Sequence, residues 1–178
     1  MSIIYTLISN KIDNVICEYT DKGGNFQQIT RVILNKEVEP NTIKALEKDN
    51  FKFHYINENK ITFLALSEGM NDSLMISYLK ELKKNLYKTY EYDLVLNSQA
   101  YQLSSFSKNI QELIEYYKET PRKSIGGEII QDLSEAKNLI TKNITQLLER
   151  DQKLNIIVTN AQSLRVDAEK VSGFVSIY

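Results

Sequence analysis

The spacing of apolar positions changes character along the chain. Ile3-Ile4-Tyr5-Thr6-Leu7-Ile8 and Asn14-Val15-Ile16-Cys17-Glu18-Tyr19-Thr20 are rich in β-branched and aromatic residues and flank a polar turn at 10–13, the pattern of a hairpin. Gly23-Gly24 interrupts the run. Asn25 then takes the place of a helix N-cap, because its short side chain can accept from the unpaired amides of a first turn. Phe26, Ile29 and Ile33, with Val32 beside them, recur at helical spacing and predict a helix to about Lys36. Pro40 lies in a connection, and a strand is expected near 45–49. Phe51-Lys52-Phe53-His54-Tyr55-Ile56 and Lys60-Ile61-Thr62-Phe63-Leu64-Ala65-Leu66 flank Asn57-Glu58-Asn59 as a second hairpin. Helical spacing returns in Leu74, Met75, Tyr78, Leu79, Leu82, Leu86 and Tyr90, and again in Leu103, Phe106, Ile110, Leu113, Ile114 and Tyr117. Strands, one helix, more strands and then helices describe an α+β domain on an antiparallel sheet.

Beyond residue 118 the pattern becomes long-range. Pro121 stops the preceding helix and Gly126-Gly127 frees the backbone, so 119–127 reads as a linker and 1–118 as a domain. From 128 to the end, steps of three and four pick out Ile129, Leu133, Ala136, Ile140, Asn143, Leu147, Arg150, Leu154, Ile157, Ala161, Leu164, Ala168, Val171 and Val175. That alternation is the period of a coiled coil, sustained for roughly six heptads, with polar residues between the seam positions. Such a stripe exposed on a single helix is a large apolar patch and asks for partner helices. Only Asn143 and Arg150 in the seam are polar. A guanidinium there costs several kcal/mol unless partner helices supply acceptors at the same level. Polar seam residues of this kind fix register and partner choice. On period alone, an arginine snorkelling to solvent from the edge of the stripe accounts for Arg150 equally well.

Leu148-Glu149-Arg150-Asp151-Gln152-Lys153-Leu154 resembles the central stretch of the synaptobrevin-type R-SNARE motif, and Asn143, Leu147, Ala161, Leu164 and Ala168 extend the resemblance outward. It implies that Arg150 is the polar central layer of a parallel four-helix bundle, meeting glutamines of three Q-SNARE helices (Qa, Qb and Qc). The other seam residues, Ile129 through Val175, would be the apolar layers. Gly23-Gly24-Asn25-Phe26 with Ile29-Thr30, Phe53-His54-Tyr55-Ile56, and the helix ending Leu79-Lys80-Glu81-Leu82-Lys83-Lys84 resemble the longin domain. That domain is a five-stranded antiparallel sheet with one helix on one face and two on the other. In this order, and followed by an R-SNARE motif, they are similar to the tetanus-insensitive, late endosomal and lysosomal branch of the vesicle-associated membrane protein family. The resemblance departs from the family at Gly173, within the final helical stretch, and at Val171, where a large aromatic is common.

The resemblance further implies membrane fusion through bundle formation, on the cytosolic face of vesicle or endosomal and lysosomal membranes. It implies the SNARE-disassembly machinery and a sorting adaptor as partners, and a membrane anchor that this sequence does not include. A closed state is also expected, in which the groove beside Phe26, Ile29 and Ile33 receives part of 128–178 and hides Leu133, Ile140 or Leu147. The rival expectation is a longin-type adaptor or tether whose C-terminal helix self-associates; stacking Arg150 on itself weighs against it.

Composition changes little in this picture. The 178 residues carry 22 Lys+Arg against 23 Asp+Glu, a net charge of −1, so no strong field invites nucleic acid. Cys17 is the single cysteine and His54 the single histidine, which leaves no histidine–cysteine metal cluster and no internal disulfide. Cys17 is expected as a buried small apolar group, and His54 under a helix on the opposite side of its strand from Phe53 and Tyr55. Gly23-Gly24 and Gly126-Gly127 lack the Gly-Lys-Ser/Thr ending of a phosphate loop. No nucleophile has a base placed near it, so neither an enzyme nor a cofactor is expected.

Overall fold

The computed structural model describes residues 1–119, 136–147 and 155–160. Ser2–Asn10 (β1) and Asn14–Thr20 (β2) form the first hairpin, and Lys22–Gly24 (β3) leads into helix α1, Phe26–Lys36. Thr42–Lys48 (β4), Phe51–Glu58 (β5) and Ile61–Glu68 (β6) complete a meander. Helices Asp72–Thr89 (α2), Tyr92–Asn97 (α3) and Ser107–Glu119 (α4) follow. The order in the main sheet is β2-β1-β6-β5-β4-β7, where β7 is Ile140–Asn143. Every pairing is antiparallel except β4 with β7.

The pleat divides the strand residues between two cores. Leu7, Phe53, Tyr55, Leu64 and Leu66 face α1, which adds Phe26, Ile29, Ile33 and Leu34. Ile8, Ile56, Phe63 and Ala65 face α2 and α4, which add Met75, Tyr78, Leu82, Leu86, Ile110 and Tyr117. A bulge adjusts this alternation: Ile3 pairs with Ser67 and Tyr5 with Leu66, so Ile4 is an extra residue and both Ile4 and Tyr5 join the α1 core. Cys17 is buried on the α2 side. So is His54, whose Nε2 lies 2.7 Å from Asp72 Oδ1 in the first turn of α2.

Two expectations are corrected. The sheet has six strands rather than five, because 140–143 adds to the edge that the meander leaves at β4. The described part of 128–178 is also not one continuous helix. It comprises two helical residues at 136–137, β7, a short 3-10 helix at Ile144–Gln146, and Val158–Asn160 (β8), paired with β3. The physical reason lies in the partner: an open strand edge satisfies backbone groups as fully as a helix does, and the α1 core offers apolar contact. Of the expected linker, Glu119 closes α4 and the rest lies outside the described residues.

Candidate functional site

The site is the groove between α1 and the β4 edge, together with what occupies it. The α1 stripe Phe26, Ile29, Ile33 and Leu34 lies against Leu46 and Phe53, so the end of the sheet nearest β4 offers apolar surface and unpaired backbone at once. β7 uses the backbone, with Lys44↔Ile140, Ala45↔Thr141, Leu46↔Lys142 and Glu47↔Asn143 in parallel register. The 3-10 turn that follows uses the apolar surface. Asn143 Oδ1 accepts from the Thr145 amide at 2.8 Å and turns the chain inward. Ile144 thereby enters the α1 core at 1% exposure, with Leu147 half-buried beside it.

A second contact lies at the start of α1. Val158–Asn160 pairs antiparallel with β3, while Ile156 is 9% exposed in the same core and Val158 packs at its margin. Asn25 holds this stretch by its backbone. Its Nδ2 donates to Asn155 O at 2.6 Å, its Oδ1 accepts from the Ile157 amide at 2.8 Å, and its own amide donates to Ile157 O at 3.2 Å. Gly24 permits the approach: its φ is +142°, and a Cβ there would stand 1.8 Å from Ile157 O.

Charge completes the groove. Glu37, just past the end of α1, is buried with Lys142 Nζ of β7 at 3.0 Å and Lys44 Nζ of β4 at 3.5 Å. Lys44 also reaches Glu39 at 2.6 Å. On the far side of α1, Arg31 donates to the Tyr101 hydroxyl at 3.0 Å, and that hydroxyl donates to Glu18 at 2.7 Å. Tyr5 donates to the same carboxylate; burial first, and then this bond, push its phenol well above the ordinary tyrosine range. These bonds tie α1 to the sheet without using any residue of 140–160.

The residues expected in the groove are brought together: Phe26, Ile29 and Ile33 are all buried. The described seam residues are not gathered on one face. Ile140 is 56% and Ile157 52% exposed, Asn143 is exposed, and Ala136 and Leu147 are half-buried. Ile129, Leu133, Arg150, Leu154, Ala161, Leu164, Ala168, Val171 and Val175 lie outside the described residues. The anchors, Ile144 and Ile156, are off-seam positions that the coiled-coil period passes over. A signal for them was present: Ile156-Ile157-Val158-Thr159 is an unbroken β-branched run, suited to a strand. Asn25 stands at the N-cap position, but its side chain makes no cap bond.

Residues 16–110 match the family model described as Longin, regulated-SNARE-like domain. The chain belongs to this family. Relatives align with the chain well beyond these residues. Vesicle-associated membrane protein 7B of Dictyostelium discoideum is 29% identical over 174 residues, covering 96% of this chain and 66% of that protein. Vesicle-associated membrane protein 722 of Arabidopsis thaliana is 25% identical over 171 residues, 94% of this chain and 77% of the relative. Vesicle-associated membrane protein 7 of Gallus gallus is 24% identical over 166 residues, 92% and 74% respectively. The chain thus spans about two thirds to three quarters of the length of these relatives, and the alignments include the docked stretch as well as the longin domain. Among the described residues, no helix is long and apolar enough to cross a membrane.

Proposed function

We propose that this chain is an R-SNARE of the longin class. Residues 128–178 supply one helix to a four-helix bundle with three Q-SNARE helices, Arg150 forms its central layer, and bundle formation drives a vesicle membrane onto its target. The longin domain controls the step by holding part of that segment in a form that cannot enter a bundle. The observation that carries this reading is the burial of Ile144 and Ile156 against α1, with 140–143 as a sheet strand. The same backbone cannot be strand and helix together, so docking and bundling exclude one another. The relatives named as vesicle-associated membrane proteins, aligned across nearly the whole chain, support the assignment.

The test compares bundle assembly by the wild-type chain and by an Ile144→Asp/Ile156→Asp variant with the same Q-SNARE helices. Charges at these sites are incompatible with an apolar core, so the variant is expected to assemble faster. Equal rates would remove the control role. In the assembled bundle, Arg150 is expected to contact glutamines from all three partners; a solvent-exposed Arg150 would overturn the layer assignment.

A further inference from the structure

Three asparagines stand at helix starts, and they are used differently. Asn71 has an extended backbone, φ −70° and ψ 139°, and its side chain accepts from the Ser73 amide at 2.8 Å, capping α2. Asn143, at φ −75° and ψ 125°, does the same for Thr145. Asn25 sits at φ −100° and ψ 4° and caps nothing in α1. Its carboxamide is committed to Asn155 and Ile157 on the docked stretch. The α1 start therefore lacks the side-chain acceptor that α2 has, and its first turn carries no acidic residue in compensation.

On the reading that 140–160 docks and releases, we infer that Asn25 is a two-position switch: it latches the backbone of 155–157 while the segment is docked and becomes the N-cap of α1 when the segment leaves. The chemistry needs a local backbone rearrangement at Asn25 and no new group. Release of Ile157 frees Oδ1, and a change of ψ toward the value seen at Asn71 aims it at the amides of Gln27 and Gln28, the second and third helical positions. The Oδ1 acceptor is thus occupied in both states, and the start of α1 tightens as the segment goes. Gly24 beside it makes the latch a reader of main chain. Nothing but a bare backbone fits against Ile157 O, and the Ile157 side chain itself is half exposed. What the latch selects is an extended stretch with a free amide, which a proline at 157 would lack.

The experiment is residue-resolved amide exchange on the full chain, for wild type, Asn25→Ala, Asn25→Asp and Ile144→Asp/Ile156→Asp. In wild type the Ile157 amide is protected. The double aspartate variant, which leaves Asn25 intact, should release Ile157 and at the same time slow exchange at Gln27 or Gln28 by roughly five-fold, the scale of an N-cap. Asn25→Asp keeps a capping acceptor and puts a carboxylate where Asn155 O needs a donor, so it should undock further than Asn25→Ala, which loses latch and cap together. Unchanged or faster exchange at both glutamines on release, or Asn25→Ala undocking at least as far as Asn25→Asp, overturns the switch and leaves docking standing. An unprotected Ile157 amide in wild type overturns docking and latch together.

Discussion

The two edges of the sheet are covered in opposite ways. At β2, the Tyr101 amide donates to Val15 O at 2.9 Å and the Leu103 amide to Ile16 O at 3.1 Å. Nearby, the Asn10 carboxamide donates to the carbonyls of Val95 and Ser98, both at 2.8 Å. That cover comes from the α3–α4 connection and is continuous with the α2–α4 core through Leu103 and Phe106. At β4 the cover is β7, which arrives from beyond α4 and brings Ile144 and Ile156 as its apolar anchors. An edge sealed by the domain's own core is permanent, because opening it means unfolding. An edge sealed by a segment that, on the function proposed above, has another use is a site, because removing the cover leaves the rest of the core in place.

The largest effect that sharpens this contrast is expected at Phe106. It is fully buried and meets Tyr90 edge-on at 6.2 Å between centroids. Phe106→Ala should cost about 3–5 kcal/mol of global stability, read as a fall in the urea midpoint. Ile144→Ala should instead cost about 2 kcal/mol of docking, roughly thirty-fold in the docked equilibrium. It should appear as faster exchange in β7 with β1, β5 and β6 unchanged. If Ile144→Ala lowers the urea midpoint as far as Phe106→Ala does, the two edges are not different in kind.

Acid should act on the permanent side. Burial holds the His54 imidazole below its ordinary 6.5, with Asp72 partly opposing. The bond from His54, with Lys52 assisting against burial, brings the Asp72 carboxyl from 3.8 to about 2. For His54 the folded state binds fewer protons than the unfolded one once pH drops below 6.5, so stability falls from there. For Asp72 the folded state likewise resists protonation, and stability is lost as pH falls from 3.8 toward about 2. Urea midpoints taken from neutral pH downward should therefore decline in two stages, and His54→Gln should flatten the first. A midpoint that rises with acid would contradict the burial of a neutral imidazole. The smallest effect is expected at Lys142, whose side chain is partly exposed and whose partner Glu37 keeps Lys44 nearby. Lys142→Ala should loosen β7 by less than about 1 kcal/mol, and added salt should shrink the difference from wild type.

The longin half was legible because its signals are local. Both hairpins, α1, α2 and α4 follow from period, turn residues and β-branched runs within each element, and His54 lies where the alternation of β5 puts it. The short helix α3 was not anticipated, since a six-residue stretch shows too little periodicity. The docked half was misread in form because two patterns overlie one another there. The heptad seam is the stronger over distance, and it describes what we propose the segment does beside other helices. The β-branched residues at 156–159 and the off-seam Ile144 describe what it does beside β4 and β3, and only the neighbouring strands reveal that context. Asn25 looked like a cap because a helical stripe begins at the next residue. Its diversion depends on a contact across 132 positions of chain, which no local rule contains.

Holding the segment at two separated places, β4 and β3, has a consequence for how an invader meets it. Each contact is short: β7 has four residues and β8 three. Neither ladder alone would persist in water. Because the chain joins them, the loss of one leaves its residues tethered close to their seat, at an effective concentration in the millimolar range, and they return before the other end lets go. A competitor that engages only one half is thus displaced by re-docking. On the proposed exchange between docking and bundling, one that captures both within the same opening wins.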